Sequence, residues 1–476
     1  MSGFGGNYSG SSNNNNYNSG GGRGSGRGGG GSSGRYSNSS SNYRGGRGRS
    51  SGRYNNNSHS RGSGGGGRGG HVNYGPAKFK PCKDYTTKGS CNNSNCSYAH
   101  VVQLHGTVNA TSPKKDTEQA NNNNKVTAIV VTTTLRRRPG VIKIFTGSDD
   151  GFWRLWNTAG GNFVKEFESP MNGPVSVVQV VNNFLFCGFE AVSRALPDTS
   201  VGMVHVWNLQ NPSQPPLELH MAPLLPYAHN QAVTALTITT DAGPPKVVSG
   251  SRDGSIRVWT FRDNAFVLES DIPGHAREIT GLVLLPANNL LWSCAIDGAI
   301  RIWDVSQPAK ATCQYAITAA PSPPTNPPAP GGAAPSAGHG HTAAVTSLVN
   351  FSSPAGAFIL SSSLDGTIKA WNGTTGECVA SETNGEGVVT MVVAQDAQGN
   401  QVLLIGTESG SILCRNLVQT PKAPAFSLLF IMTSFFSAGH QGAVKAITAG
   451  PAATFYTGGA DGKLLVLQLT GDLQLQ

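Results

Sequence analysis

From residue 125 onward one pattern recurs, and it restricts the possible folds more than any other feature of this 476-residue chain. Ser249-Gly-Ser-Arg-Asp253-Gly-Ser-Ile-Arg-Val-Trp259 returns as Ser293-Cys-Ala-Ile-Asp297-Gly-Ala-Ile-Arg-Ile-Trp303. It returns again as Ser361 to Asp365-Gly to Trp371, and stands earlier as Asp149-Asp150-Gly to Trp156. In all four the Asp lies six residues before the Trp. Weaker copies centre on Cys187 to Trp207, Ile405 to Arg415, and Thr457-Gly-Gly-Ala-Asp461-Gly to Leu467, which makes seven units. Each reads as a short strand, an Asp-Gly hairpin turn and an alternating strand.

Upstream of several units stand Ala228-His229, Gly274-His275, Gly340-His341 and Gly439-His440, followed by apolar strands such as 233–238. These residues resemble the WD-repeat family, and seven such units imply an all-β, seven-bladed propeller of four-stranded blades. The resemblance also implies that His229, Ser249, Asp253 and Trp259 form a hydrogen-bonded set that stiffens one blade. The sets His275, Ser293, Asp297, Trp303 and His341, Ser361, Asp365, Trp371 are equivalent. A Ser-His-Asp hydrolase would need only one such site, so repetition argues for a structural role. The first blade lacks the His, the sixth has Ser409 and Arg415 at the Asp and Trp positions, and the seventh has Leu467 for Trp. Those three blades are expected to be less regular.

Closure of such a ring pairs an N-terminal strand with the last blade, and 101–104 is the candidate. We expect a polar loop over 107–124, the propeller over 125–470, and an insert in the second blade near 191–200. Residues 319–338 hold seven Pro and form an extended, semi-rigid loop with no P-x-x-P flanked by a basic residue.

Residues 76–106 form a second unit. Cys82 is followed after eight residues by Cys91, after four by Cys96 and after three by His100. Three soft thiolates and an imidazole are the four N/S ligands that a structural zinc ion takes, and short spacings lose little chain entropy on binding. Gly89 suits a tight turn before the second ligand. Phe79, Tyr85 and Tyr98 alternate with Lys80, Lys83 and Lys88, so aromatic faces for unpaired bases stand beside cations for phosphates. A zinc knot that only stiffens the chain or binds protein is the plainer alternative. The run resembles the tristetraprolin-type CCCH family, which binds single-stranded RNA, with Tyr98 and Tyr85 at its aromatic positions. That resemblance implies one zinc ion and RNA contacts. A single finger reaches only a few nucleotides.

Residues 1–75 hold 26 Gly, 17 Ser, 12 Asn and nine Arg, with no Lys, Asp, Glu, Leu, Ile or Ala. Such a tail cannot bury enough apolar surface to offset its ordering entropy and is expected to be disordered. Its Arg-Gly-Gly runs at Arg27, Arg44 and Arg68, with six interspersed tyrosines, resemble the RGG segments of RNA-binding proteins. They imply RNA contact, self-association and arginine methylation; an inert linker is the alternative. The tail carries the whole formal charge of +9, residues 76–106 carry +3 and residues 107–476 carry −3. A polyanion is therefore drawn to the N-terminal quarter.

Five of the eight Cys are scattered, which fits a reducing compartment rather than a disulfide framework. There is no signal-peptide pattern, and the most apolar stretch, 428–436, is too short to span a bilayer. The chain reads as soluble and intracellular, in nucleus or cytoplasm. Finger first and propeller second resembles the CCCH-finger/WD-repeat family best known from plants. The expected function is a non-enzymatic adaptor whose finger and tail bind single-stranded RNA while the propeller docks proteins. The alternative is a scaffold or substrate receptor of a ubiquitin ligase, although Trp303-Asp-Val-Ser, Trp207-Asn-Leu-Gln and Trp371-Asn-Gly-Thr lack the W-D-x-R ending. No Walker motif or catalytic Cys-His signature points to an enzyme.

Overall fold

The computed structural model describes residues 80–112, 124–132, 142–158, 163–193, 198–240, 245–319, 339–353, 356–419, 424–433 and 439–470. The tail 1–75, Phe79 and all but the first residue of the Pro-rich insert lie outside them.

Seven four-stranded antiparallel sheets account for nearly all of the described chain. Their first strands are Val126–Thr132, Val175–Val181, Val233–Thr239, Ile279–Leu285, Val345–Ser353, Val388–Gln395 and Val444–Ala449. Each of these touches the next, and the seventh touches the first, so the sheets close into a seven-bladed β-propeller with these strands innermost. Hydroxyls stitch the inner ring. Thr127 Oγ1 donates to the carbonyl of Val175, Thr234 to Ile279, Thr280 to Val345 and Thr346 to Val388.

Six blades are local meanders, and the seventh is not. Its outer strand is Val102–Asn109, paired with Lys463–Leu469 from Val102↔Leu469 to Asn109↔Lys463, with a bulge between Leu104 and Gly106. This strand begins one residue later and runs five residues further than the expected 101–104. The polar loop therefore starts only after Asn109, because Leu104 and Val108 still pack against the buried faces of the last and first blades.

The apolar core lies between blades. Phe145 and Trp153 of the first blade pack with Leu185, Phe189 and Trp207 of the second. Leu404 and Cys414 of the sixth meet Phe455 and Leu467 of the seventh, together with Val101 and Val102.

Irregularity falls elsewhere than the sequence suggests. The first, sixth and seventh blades are complete, whereas in the second the outer strand shrinks to Leu217–Glu218. Pro215-Pro216 precede it, and proline brings no N–H to a ladder. The insert in that blade is also shorter than expected, since strands Phe184–Val192 and Ser200–Asn208 extend into it.

The Asp-Gly turns explain why the units repeat. Gly151, Gly254, Gly298, Gly366 and Gly462 all have φ between 71° and 81°, where L side chains are strained. At Gly254 a Cβ would also stand 2.3 Å from the carbonyl oxygen of His275. Replacing Gly254 by Ala is predicted to cost about 1–3 kcal/mol. It would lower the thermal unfolding midpoint measured by tryptophan fluorescence, whereas Gly399→Ala, facing open space, would lower it less.

Candidate metal centre and blade hydrogen-bond sets

Backbone pairing brings the first and last predicted ligands together. The Cys82 N–H donates to the Ala99 carbonyl (2.8 Å) and the Ala99 N–H to that of Lys80 (3.0 Å). A helix absent from the sequence reading, Lys83–Lys88, follows Cys82 and ends on Gly89, whose φ of 75° turns the chain toward Cys91. The ligand atoms of Cys82, Cys91, Cys96 and His100 then lie within 4.8 Å of one another. All three thiols are free. His100 Nε2 is buried and has no hydrogen-bond partner, which is costly for a polar atom unless something else meets it. A tetrahedron with Zn–S near 2.3 Å has edges of roughly 3.7 Å, so little adjustment would complete one. Burial opposes ionisation of Cys82, but the Tyr85 backbone and the Cys91 and Cys96 thiols outweigh it and lower its pKa. The cluster could hold a metal, and its donor set fits zinc.

The structure separates the six residues proposed to touch RNA. Lys83 and Tyr98 are exposed, Tyr98 at 42%. Lys88 is exposed but sits 2.8 Å from Asp84, and Lys80 is half-buried. Tyr85 faces inward. Its ring stacks on His100 with centroids 4.8 Å apart and an angle of 19°, and its hydroxyl donates to Thr470 Oγ1 at 3.2 Å. One face of the Tyr85 ring is therefore taken up by a predicted metal ligand. Phe79 lies outside the described residues.

In the propeller, the predicted sets come together in three blades. Trp259 Nε1 donates to Ser249 Oγ (2.9 Å), which lies 2.7 Å from His229 Nε2. The serine proton then points to Nε2, leaving the ring N–H on Nδ1, which faces Ser255 Oγ at 3.0 Å and Asp253 at 3.6 Å. Trp303–Ser293–His275–Asp297 and Trp371–Ser361–His341–Asp365 repeat this chain, with Ser–His distances of 2.8 and 2.7 Å. Each Asp also accepts backbone N–H groups from both sides, as Asp365 does from Thr342 and Thr367. Ser249, Ser293 and Ser361 have no solvent exposure, so no substrate can reach their hydroxyls. These sets are braces.

Two further braces went unread in the sequence. In the seventh blade His440 bridges Thr457 (2.9 Å) and Asp461 (2.8 Å) although Trp has become Leu467. In the first blade buried Arg154 takes the place of the His. Its guanidinium meets Asp150 Oδ2 (2.7 Å), Ser148 Oγ (3.0 Å) and Ser112 Oγ (2.9 Å), while Trp156 still donates to Thr146. The signal was Arg154 four residues after Asp150 with no His upstream.

Burial lowers the pKa of His229, His275 and His341, the last to about 4. Burial opposes ionisation of Asp365, yet the Thr367 hydroxyl and two backbone N–H donors outweigh it and bring the carboxyl to about 2. Both folded values lie below the unfolded ones, so as pH falls the unfolded chain takes up each proton first. The stability they contribute is complete above about pH 6.5 for His341 and about pH 4 for Asp365. It is lost as pH falls through the folded values. The thermal midpoint is predicted to drop between pH 6.5 and 4, and His341→Gln should flatten that slope while lowering the midpoint at pH 7. Ser249→Ala strands the Trp259 indole N–H and should cost about 1–3 kcal/mol in thermal unfolding at neutral pH.

The WD40 family (WD domain, G-beta repeat) matches residues 223–260, 266–304 and 336–372, which cover the three blades with full sets. A rice protein, zinc finger CCCH domain-containing protein 17, is 27% identical over 230 residues, 48% of this chain and 44% of that one. The F-box/WD repeat-containing protein sel-10 of Caenorhabditis elegans is 32% identical over 127 residues, 26% of this chain and 17% of that one. The chain thus spans less than half the length of either relative. Among solved structures, the WD40 β-propeller domain of Doa1 superposes with a TM-score of 0.52 at 17% identity, over 77% of this chain and 96% of that one, a likeness of fold. The chain is a seven-bladed β-propeller carrying WD40 repeats.

Proposed function

We propose that this chain is a non-enzymatic intracellular adaptor in which the propeller docks partner proteins while a zinc-loaded finger and the Arg/Gly tail bind single-stranded RNA. The observation that carries the reading is the Cys82–Cys91–Cys96–His100 cluster, beside which Tyr98 and Lys83 stand exposed. An aromatic face and a flexible cation on a small metal-folded knuckle are what a short unpaired RNA segment needs. The charge distribution agrees, since the tail and finger are basic and the rest is slightly acidic. The similarity to a rice protein named for its CCCH finger points the same way.

Docking by the propeller is supported by its shape and by its turns. Ile296 and Leu364, 36% and 38% exposed, occupy the same turn position in consecutive blades. Each donates its N–H to the residue before the inner strand, Glu278 and Ala344 respectively. Large apolar side chains held on fixed turns are suited to a protein partner. All eight cysteines are free, which fits a reducing compartment.

Fluorescence anisotropy with single-stranded RNA tests the reading. Tyr98→Ala should weaken binding by about 1–3 kcal/mol, and Cys91→Ser should weaken it at least as much. Removing residues 1–75 should flatten the dependence of log affinity on log salt. If binding is unaffected by both finger variants, the finger is not the RNA reader and a protein-only scaffold remains.

A further inference from the structure

The finger does more than precede the propeller; its ligand set and the ring's closing strand share the same few residues. His100, the last predicted ligand, is followed directly by Val101 and Val102, 1% and 0% exposed and packed with Leu467 and Leu469 of the seventh blade. The Thr470 N–H donates to the Val101 carbonyl at 2.8 Å. The Thr470 hydroxyl in turn accepts from Tyr85, the ring stacked on His100. Gln103, the second residue of the closing strand, reaches back to the Gly89 carbonyl at the end of the finger helix. No spacer separates the two units, so a displacement of His100 moves the start of the strand.

We propose that the finger is the latch of the ring. Loading the Cys82–Cys91–Cys96–His100 site and pairing Val102–Asn109 with Lys463–Leu469 are coupled, so zinc supply governs whether the seventh blade is whole. The inference rests on the zinc reading but not on RNA binding. Tyr85 is a positioning residue: its ring holds His100 and its hydroxyl ties that orientation to the end of the last strand. Because metal ligation and local folding are linked, and because coupling is reciprocal, pairing of the strand must raise zinc affinity by the factor by which zinc favours that pairing, and a variant that loosens the link must weaken zinc binding.

Two measurements on the full chain test this. The first is amide hydrogen exchange with zinc bound and after removal by a chelator, with metal content measured in both samples. The amides of Val102–Asn109 and Lys463–Leu469 should exchange at least tenfold faster without zinc, while those of the third blade, 233–273, stay unchanged. Equal protection of the seventh blade in both samples overturns the latch.

The second is zinc affinity by competition with a chromogenic chelator in Tyr85→Phe and Thr470→Val, which keep the ring stack and the side-chain shape. Each should bind zinc two- to tenfold more weakly, the range of one hydrogen bond. The double variant should be no weaker than the worse single one, since both remove the same bond. Wild-type affinity in both single variants overturns the coupling. A chain purified with no stoichiometric zinc, and taking none up, overturns the zinc reading and the latch together. Loss of RNA binding with zinc-dependent protection intact leaves the latch standing and removes only the RNA role.

Discussion

Pairing of Val102–Asn109 with Lys463–Leu469 is the contact on which the ring depends. Six blades are meanders whose strands are neighbours in sequence, and each can form locally. Only the seventh joins the two ends of the folded chain. The entropy lost in closing so long a loop grows slowly, about 0.6 kcal/mol per doubling of length. It is offset by seven paired residues and by the burial of Val101, Val102, Leu465 and Leu467 in one cluster. Without that strand, Lys463–Leu469 would be an exposed edge rich in leucine, open to pairing with other chains.

The finger hangs on the same contact. Among residues 80–100, those described before the closing strand, only Pro81, Cys82, Thr86 and Ala99 are deeply buried, a small interior for a chain of this length. It is tied at one end by the start of the closing strand, where Val101 and Val102 enter the last blade, and its Cys and His side chains converge on one point. This explains where Tyr85 points. An aromatic three residues after the first Cys is available for RNA only if the finger stands free, and here the ring and hydroxyl are already engaged by His100 and Thr470.

How much the sequence disclosed depended on whether a feature was local. Seven blades, their turns and three full side-chain sets were legible, because Asp-Gly turns and Trp at fixed spacing express short-range geometry. The convergence of Cys82, Cys91, Cys96 and His100 was legible for the same reason. The helix Lys83–Lys88 was missed because six residues with Thr86-Thr87 carry no helical periodicity. The closing strand was read too short because Gly106 and the polar Thr107 and Asn109 look like loop, whereas its outward positions simply face solvent. The tie between Tyr85 and Thr470 is invisible in the sequence because the two lie at opposite ends of the described chain. The substitute braces are harder to read because each lacks one member of the pattern, the His in the first blade and the Trp in the seventh.

Comparing the seven blades shows that the marker should have been the turn carboxylate. The third, fourth, fifth and seventh blades have an Asp at the turn and a His upstream, although the seventh has lost its Trp. The first has Asp150 and no His, and there Arg154 supplies the cation. The sixth has Ser409 in place of Asp, and neither it nor the second has a His in the corresponding segment. In each of the five blades with this turn Asp, a cationic or histidine donor answers it. Physics requires this, since a half-buried carboxylate without a donor is far costlier than no carboxylate at all. The same guanidinium position shows the economy of the exchange. Arg257 of the third blade meets Asp271 on the outer strand and the Ala228 carbonyl. Arg154 meets both the outer Glu168 and the turn Asp150, because no histidine stands between them. A blade is therefore defined by its turn acid and whatever donor answers it, and the Trp–Ser–His relay is one way among several of providing that donor.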